Sequence, residues 1–253
     1  TQTTPYGGGT WASRGAGIGG EAALQAGLAL KDSILTVAGS MLQCAPDELD
    51  IVNGQVCDKA GGEARMPLEE LGRIVYFRGD TLPKDLPREL VQTRHFITSD
   101  YPFAFTNGVQ ASYLEVDTET GFVKLLKHWC VEDCGRVINP QLVDEQIRGG
   151  IVQGLGGALF EECHYDEDGQ LLNANMADYL VPMAAEMPDM VIGHVETPTQ
   201  ESLLGAKGAG EAGTAGAPAA VMNAVNDALR PLGGRVTQMP FTPARILASI
   251  GVE

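Results

Sequence analysis

The chain has 253 residues, a formal net charge of -16 at pH 7 and 44% hydrophobic residues. This length is enough for one large domain or two smaller ones with cores of their own. The strong negative charge argues against nucleic acid or an anionic membrane surface as a partner. No apolar run is long enough for a membrane span and no signal peptide opens the sequence, so we expect a cytoplasmic protein.

The five cysteines show no disulfide-framework spacing, which indicates reduced thiols and again favours the cytoplasm. Cys130 and Cys134 are four residues apart, but no second pair or nearby histidine completes a metal site. We interpret them as core thiols at the end of a strand.

The chain opens with a polar, glycine-rich segment, which suggests the second part of something larger. Gly15, Gly17 and Gly20 match the dinucleotide-binding spacing, but residues 3–14 offer no buried strand before them. A nicotinamide-binding unit is therefore disfavoured. Backbone N–H groups, two hydroxyls and Arg14 ahead of a helix suit an anion such as phosphate. An ordinary turn and helix cap is the alternative.

Apolar residues at helical spacing predict a helix over residues 20–43. Asn53-Gly54 predicts a hairpin turn within residues 50–56, and Pro67 predicts the start of a second helix over 66–77. Residues 78–88 are expected to connect two halves. His95 is predicted to lie on the following strand in a structural role.

In the second half, β-branched runs predict a hairpin of residues 109–116 and 122–131. Asn139 and Pro140 predict the N-terminus of a helix, and Thr242 caps a last one ending near Ile250. The other predicted elements are strands over 190–196 and 236–240 and a helix over 215–229 with Pro218 in its first turn. The class is α+β, in two similar mixed helix/sheet subdomains over residues 1–100 and 101–253.

The helix that follows Asn139 contains five glycines within residues 149–157. Each costs roughly 1 kcal/mol relative to alanine, so something must offset that cost. Close approach of another backbone or of a flat ligand would do so. In the second case Gln153 offers a donor and an acceptor at the ligand's edge.

Residues 205–211 form a loop too rich in glycine to be a helix or strand, and it ends in one carboxylate, Glu211. Such a loop lets the backbone approach a ligand closely and presents a single base. A carboxylate needs a raised pKa to act as a base at neutral pH, and burial would supply it. Lys207 would lower the pKa again if it lay nearby. A solvated surface loop is the alternative.

Four motifs occur in one order: the loop with Ser13-Arg14 and the segments 133–140, 149–154 and 205–211. Together they resemble the C-terminal half of the molybdenum-binding subunit of the xanthine dehydrogenase, aldehyde oxidase and carbon monoxide dehydrogenase family. The resemblance covers essentially the whole chain. It implies a molybdenum hydroxylase that oxidises an aldehyde or nitrogen-heterocycle type of substrate with water as the oxygen source.

By the same resemblance, Glu211 is the general base, and molybdenum is held through the pterin rather than by side chains. Trp11 is expected to narrow the substrate pocket. The residues implied in cofactor binding are Gly9, Thr10, Trp11, Ala12, Ser13, Arg14, Gln153, Gly154, Lys207 and Gly208.

The implied cofactor is molybdopterin with molybdenum, in the cytosine dinucleotide form. Two electrons would pass to 2Fe-2S clusters on an iron–sulfur subunit, and an FAD subunit is left open. The N-terminal half of the molybdenum subunit is expected as a separate chain, because its substrate-binding side chains are missing here. Two alternatives remain: a non-catalytic scaffold or binding subunit of the same fold, and a nicotinamide-dependent oxidoreductase.

Overall fold

The computed structural model describes residues 6–99 and 104–252. The chain divides into two compact units, one of Ile18–Ile97 and a larger one of Thr1–Gly17 with Thr98–Glu253. Each unit combines helices with a small sheet, which confirms the α+β class. The predicted subdomain boundary between residues 100 and 101 lies outside the described residues.

The smaller unit consists of two helices and a three-stranded antiparallel sheet. The long helix α1 follows one turn of π-helix and ends where Gln43 adopts a left-handed conformation. The predicted hairpin is confirmed, with Asn53 and Gly54 both at positive φ in the turn. The elements in chain order are α1 (Glu21–Leu42), β1 (Leu49–Val52), β2 (Gln55–Asp58), β3 (Ala64–Pro67) and α2 (Leu68–Phe77).

Two predictions for this unit were wrong. Met66 was expected in a helix, but its backbone pairs with Val56 in strand β3, and Pro67 is extended as the N-cap of α2. His95 was expected on a strand, but it lies in an exposed segment with no regular secondary structure. Sheet pairing with a distant segment decided the first case, which a local proline signal does not reveal.

The larger unit packs three helices with a second three-stranded sheet of order β4-β5-β6. Strands β4 and β5 form the predicted antiparallel hairpin, and β6 pairs with β5 in parallel. Ile147, Ile151 and Val221 are fully buried between the two long helices and this sheet. The elements are β4 (Asn107–Val116), β5 (Val123–Asp133), α3 (Pro140–Leu159), β6 (Asp189–His194), α4 (Ala212–Leu229) and α5 (Pro243–Ser249).

The predicted caps of this unit are confirmed, whereas the bounds of α4 and β6 differ and one predicted strand does not form. Asn139 and Thr242 each accept a backbone N–H at the start of a helix. Helix α4 begins at Ala212, three residues early, so Pro218 lies in its second turn. Strand β6 ends at His194 instead of residue 196. Residues 236–240 are not a strand, because the Asn226 amide pairs with both the N–H and the C=O of Val236.

Two of the glycines of helix α3 lie where α4 comes into close contact with it. A Cβ at Gly150 would lie 3.1 Å from Gly213 Cα, and one at Gly154 would lie 2.9 Å from the Thr214 carbonyl. These contacts confirm close approach of another backbone at two positions. Gly149 and Gly157, by contrast, have no atom within 4 Å of the Cβ position, so the helix contact does not explain them.

Gly213→Ala is expected to lower the free energy of unfolding by about 1–3 kcal/mol, the usual cost of overpacking a core. The added methyl would lie 2.3 Å from the Ile147 carbonyl oxygen and 2.8 Å from the Ile151 nitrogen, which are backbone atoms. Gly157→Ala is the matched control and should be neutral or slightly stabilising, since its Cβ position is open. Urea denaturation followed by circular dichroism compares them. Equal midpoints for the two variants would contradict the contact argument.

Candidate active site

Two loops of the larger unit meet at Ser13. The first is the N-terminal loop, residues 6–14, in which Ala12 and Ser13 both have positive φ. The second is the glycine loop, residues 205–211. A Cβ at Gly208 would lie 2.8 Å from Ser13 Cβ, and one at Gly210 would lie 2.9 Å from Ser13 Oγ. The glycines of the second loop therefore make room for this serine.

Ser13 Oγ donates a hydrogen bond of 2.7 Å to Glu211 Oε2. Glu211 is the N-cap residue of α4, with its backbone turned out of the helix at φ -107° and ψ 0°. The sequence argument expected Glu211 to be buried, but its side chain is exposed in the described part of the chain. The structure thus brings together Glu211, the predicted base, and Ser13, a predicted cofactor contact. The predicted burial of Glu211 is not found in this chain.

Lys207 is engaged with a different carboxylate. Its Nζ lies 3.2 Å from Asp133 Oδ2, and both side chains are about nine-tenths buried. Asp133 Oδ1 also accepts the backbone N–H groups of Gly135 and Thr197. Burial alone would raise the pKa of the Asp133 carboxyl, but these two N–H groups and the Lys207 ammonium lower it below its ordinary value. The expected influence of Lys207 on Glu211 is replaced by this ion pair.

The end of β5 fixes the base of the glycine loop. Gly135 and Ala206 form an isolated antiparallel bridge. The Lys207 N–H donates to the Cys134 carbonyl at 2.7 Å, and the Arg136 N–H donates to the Gly205 carbonyl at 3.0 Å. Segments 133–140 and 205–211, which are separate motifs in the sequence, are therefore joined by backbone hydrogen bonds just after the end of β5.

Arg14 is bound by its own loop. Its Nε and Nη2 donate to the Gly9 carbonyl at 3.1 and 2.8 Å, and its guanidinium lies 4.7 Å from the ring centroid of Trp11. Trp11 itself is 53% exposed. The guanidinium is used for shaping the loop, which differs from the anion-binding role suggested by the sequence. Residues 6–14, which precede Gly15, contain no strand. A nicotinamide-binding unit needs a buried strand at this point.

Two cavities lie on either side of Ser13. The first, of about 410 Å³, is lined by the N-terminal loop, the glycine loop and the start of α3, and it includes Thr10, Lys207 and Gln146. The second, of about 380 Å³, includes Ala12, Gly208 and Glu211. Ser13 lines both. Six of the eleven predicted site residues thus line one cavity or the other.

Gln153 and Gly154, by contrast, line neither cavity. Gln153 is exposed on α3, and its Oε1 accepts a hydrogen bond of 3.0 Å from Thr214. Gly154 is buried against α4 and faces no ligand space. Gln146 lies two turns before Gln153, and exposed Gly149 between them has open space above it. Amide groups around an open glycine, beside a cavity lined by hydroxyl, amide and ammonium groups, fit a flat, polar, anionic ligand such as a pterin.

Several residues that build this site escaped the sequence analysis. Thr106 Oγ1 donates to the Gly208 carbonyl, and Gln146 Nε2 donates to the Gly210 carbonyl at 3.2 Å. Gln110 Nε2 donates to the carbonyls of Ala212 and Gly213. One signal was available for Gln110: strand alternation places it on the same face as the apolar Leu114 and Val116, where a polar residue needs a reason.

The cysteines and the helices add two further observations. Cys130 and Cys134 are buried, as predicted, and burial raises the pKa of both thiols to about 11. Within residues 6–99 and 104–252, no group of three or more His, Cys, Asp or Glu side chains is placed to hold a metal ion. Over the same ranges, every helix is too short or too polar to cross a lipid bilayer.

Comparison with known proteins yields consistent matches. Residues 1–188 match the molybdopterin cofactor-binding domain family. The chain is 39% identical to the nicotine 6-hydroxylase large subunit of Paenarthrobacter nicotinovorans, over 96% of this chain and 29% of that protein. It is 30% identical to the carbon monoxide dehydrogenase large chain of Afipia carboxidovorans, over 97% of this chain and 30% of that one.

Among solved structures, quinoline 2-oxidoreductase from Pseudomonas putida 86 matches with a TM-score of 0.86 and 38% identity, over 98% of this chain and 31% of that one. The chain therefore spans about 30% of the length of the curated relatives.

Proposed function

The chain belongs to the molybdopterin cofactor-binding domain family, and from this premise we propose that it is part of a molybdenum hydroxylase. Such an enzyme oxidises a carbon centre with water as the oxygen source. The observation that carries the proposal is the hydrogen bond from Ser13 Oγ to Glu211 Oε2, which joins two loops that line adjoining cavities. It leaves Glu211 Oε1 available to accept a proton.

In this proposal Glu211 is the general base. The Ser13 hydroxyl orients the carboxylate, and the closely packed glycine loop keeps it from rotating away. Exposure of Glu211 in this chain means that other parts of the enzyme complete its burial. The bound cofactor supplies the two-electron redox chemistry.

We propose that residues of the two loops and of α3 hold the cofactor. Lys207 places its ammonium, ion-paired with Asp133, at the first cavity, and Thr10 adds a hydroxyl. Arg14 contributes by fixing the loop around Gly9, and Trp11 by bordering the substrate. The complete set is Gly9, Thr10, Trp11, Ala12, Ser13, Arg14, Gln153, Gly154, Lys207 and Gly208.

For the substrate we propose a nitrogen heterocycle over an aldehyde. Two of the most similar relatives, at 39% and 38% identity, are named for nicotine and quinoline, both of which contain such a ring. The relative named for carbon monoxide is less similar, at 30% identity.

The remaining parts of the proposal concern cofactors and partners. We propose the cytosine dinucleotide form of molybdopterin, electron transfer to 2Fe-2S clusters on a partner, and an FAD subunit beyond them. This chain covers about 30% of the length of these relatives. The rest of the molybdenum subunit would therefore correspond to the remaining 70% or so. Five unpaired cysteines favour a cytoplasmic setting.

An oxygen-labelling experiment tests this function. The enzyme that contains this chain is given quinoline, nicotine or an aromatic aldehyde in ¹⁸O-labelled water, and the products are examined by mass spectrometry. We expect labelled hydroxylated heterocycle at a higher kcat/KM than for the aldehyde. An unlabelled hydroxylated product, whose oxygen then came from O₂, or no product from any of the three compounds, would overturn the proposal.

A further inference from the structure

We propose that Gln110 is a positioning residue for Glu211, acting through the first turn of α4. The inference rests on the proposed function, because it concerns the orientation of the general base. Gln110 lies on β4, and its Nε2 donates to the carbonyls of Ala212 and Gly213 at 3.1 and 2.9 Å. Those two residues follow Glu211 directly, so the amide holds the backbone on which the carboxylate is mounted.

The direction of the Gln110 amide is fixed by a buried histidine. Because its NH₂ group serves two carbonyls, its Oε1 must be the acceptor for His128 Nε2 at 3.0 Å. His128 Nδ1 then accepts from Ser112 Oγ at 2.9 Å. His128 is fully buried, and burial lowers its pKa, which favours the neutral ring. In the neutral ring these two partners assign the proton to Nε2. A flipped amide would place oxygen against carbonyl oxygen.

Gly216 makes this contact possible from the helix side. A Cβ at Gly216 would lie 3.0 Å from Gln110 Cδ and 3.1 Å from its Nε2. The helix therefore leaves a space one turn after the carbonyls that the amide holds. The absence of a side chain at Gly216 on α4 thus leaves room for the Gln110 side chain from β4. A hydrogen bond at an open surface would not need such a space.

Gln110 completes a set of restraints around Glu211. Thr106 holds the Gly208 carbonyl and Gln146 holds the Gly210 carbonyl, both before Glu211 in the chain. Gln110 is the side chain that holds the segment after it. It also differs from the other two in being backed by a second side chain, the fully buried His128, which in turn bonds the partly buried Ser112.

Two substitutions in the complete enzyme test this role. Gln110→Glu keeps the shape and the acceptor for His128 but removes the donors, whereas Gln110→Leu removes both. We expect kcat to fall about 10- to 100-fold in each, the scale of a small misplacement of a catalytic group, with KM and molybdenum content unchanged. On acidification, kcat of the glutamate variant relative to the parent should recover, because a protonated carboxyl donates again. The leucine variant should show no recovery. Among the described residues, the titratable side chain bonded to Gln110 is His128, whose pKa is lowered by burial.

The matched control is Gln92→Glu, another side-chain amide donor, which bonds Ser33 in the smaller unit and lines neither cavity. It should leave kcat unchanged. If the Gln110 variants do not assemble, Gly216→Ala displaces the same amide and must lower kcat in the same way. Unchanged kcat, or equal pH profiles for the glutamate and leucine variants, would overturn the inference. The proposed function fails separately, if Glu211→Gln retains full activity.

Discussion

Glu211→Gln is expected to lower kcat of the assembled enzyme about 100-fold or more, the usual contribution of a general base. Glutamine keeps the size of the side chain and its hydrogen bond from Ser13, but its amide cannot take up a proton. Binding of cofactor and substrate should be preserved, so molybdenum content and KM are expected to stay at the parent values. Steady-state kinetics with a heterocyclic substrate, together with metal analysis of the same sample, measure the effect.

The chain supplies a close control for this substitution. Glu201 also accepts a hydrogen bond from a serine hydroxyl, that of Ser99, and is also exposed, but it lines neither cavity around Ser13. Glu201→Gln should therefore leave kcat unchanged. If Glu211→Gln and Glu201→Gln have the same kcat, Glu211 is not the base. If Glu211→Gln loses molybdenum along with activity, the residue has a binding role instead.

Asp133→Ala is expected to lower the free energy of unfolding by about 3–5 kcal/mol, the cost of leaving a buried charge without its partner. Lys207 would keep its ammonium in a site where its side chain is 9% exposed, with Asp133 Oδ2 gone. The N–H groups of Gly135 and Thr197 would lose their acceptor as well. The control is Asp189→Asn, which breaks the exposed contact with Lys127 and should change stability by less than about 1 kcal/mol.

The same ion pair predicts how stability depends on pH. The folded pKa of Asp133 is below its ordinary value of 3.8, so its carboxylate stabilises the fold fully above that value. This contribution is lost as pH falls through the lower folded pKa. Urea denaturation of the parent and of Asp133→Asn should therefore show a difference at pH 7 that shrinks below about pH 4. A constant difference over this range would exclude a charge effect.

Local signals in the sequence were sufficient for much of the fold. Asn53-Gly54 specified a hairpin because the turn needs two residues at positive φ, and both have it. Asn139 with Pro140 specified the start of α3 through one side-chain hydrogen bond. The glycines of α3 also indicated a close neighbour, although not which glycines would contact it.

Two of the errors occur where a residue of another element decides the local structure. Met66 is a strand residue because Val56 pairs with it, and Val236 is not in a strand because the Asn226 amide takes its backbone groups. Whether Lys207 lies near Glu211 was left open by the sequence, and the partner of its ammonium is Asp133, 74 positions earlier in the chain. The burial of Glu211 cannot be judged from this chain alone, because the chain covers about 30% of the length of the relatives it matches.

Metal analysis of the purified enzyme, with the chain in its complete assembly, is the direct test of the proposal that this chain holds a molybdenum cofactor. We expect molybdenum in equal amount to this chain, a pterin released on denaturation, and iron from partner subunits. An enzyme that turns over a heterocycle with oxygen from water yet contains neither molybdenum nor pterin would contradict the proposal.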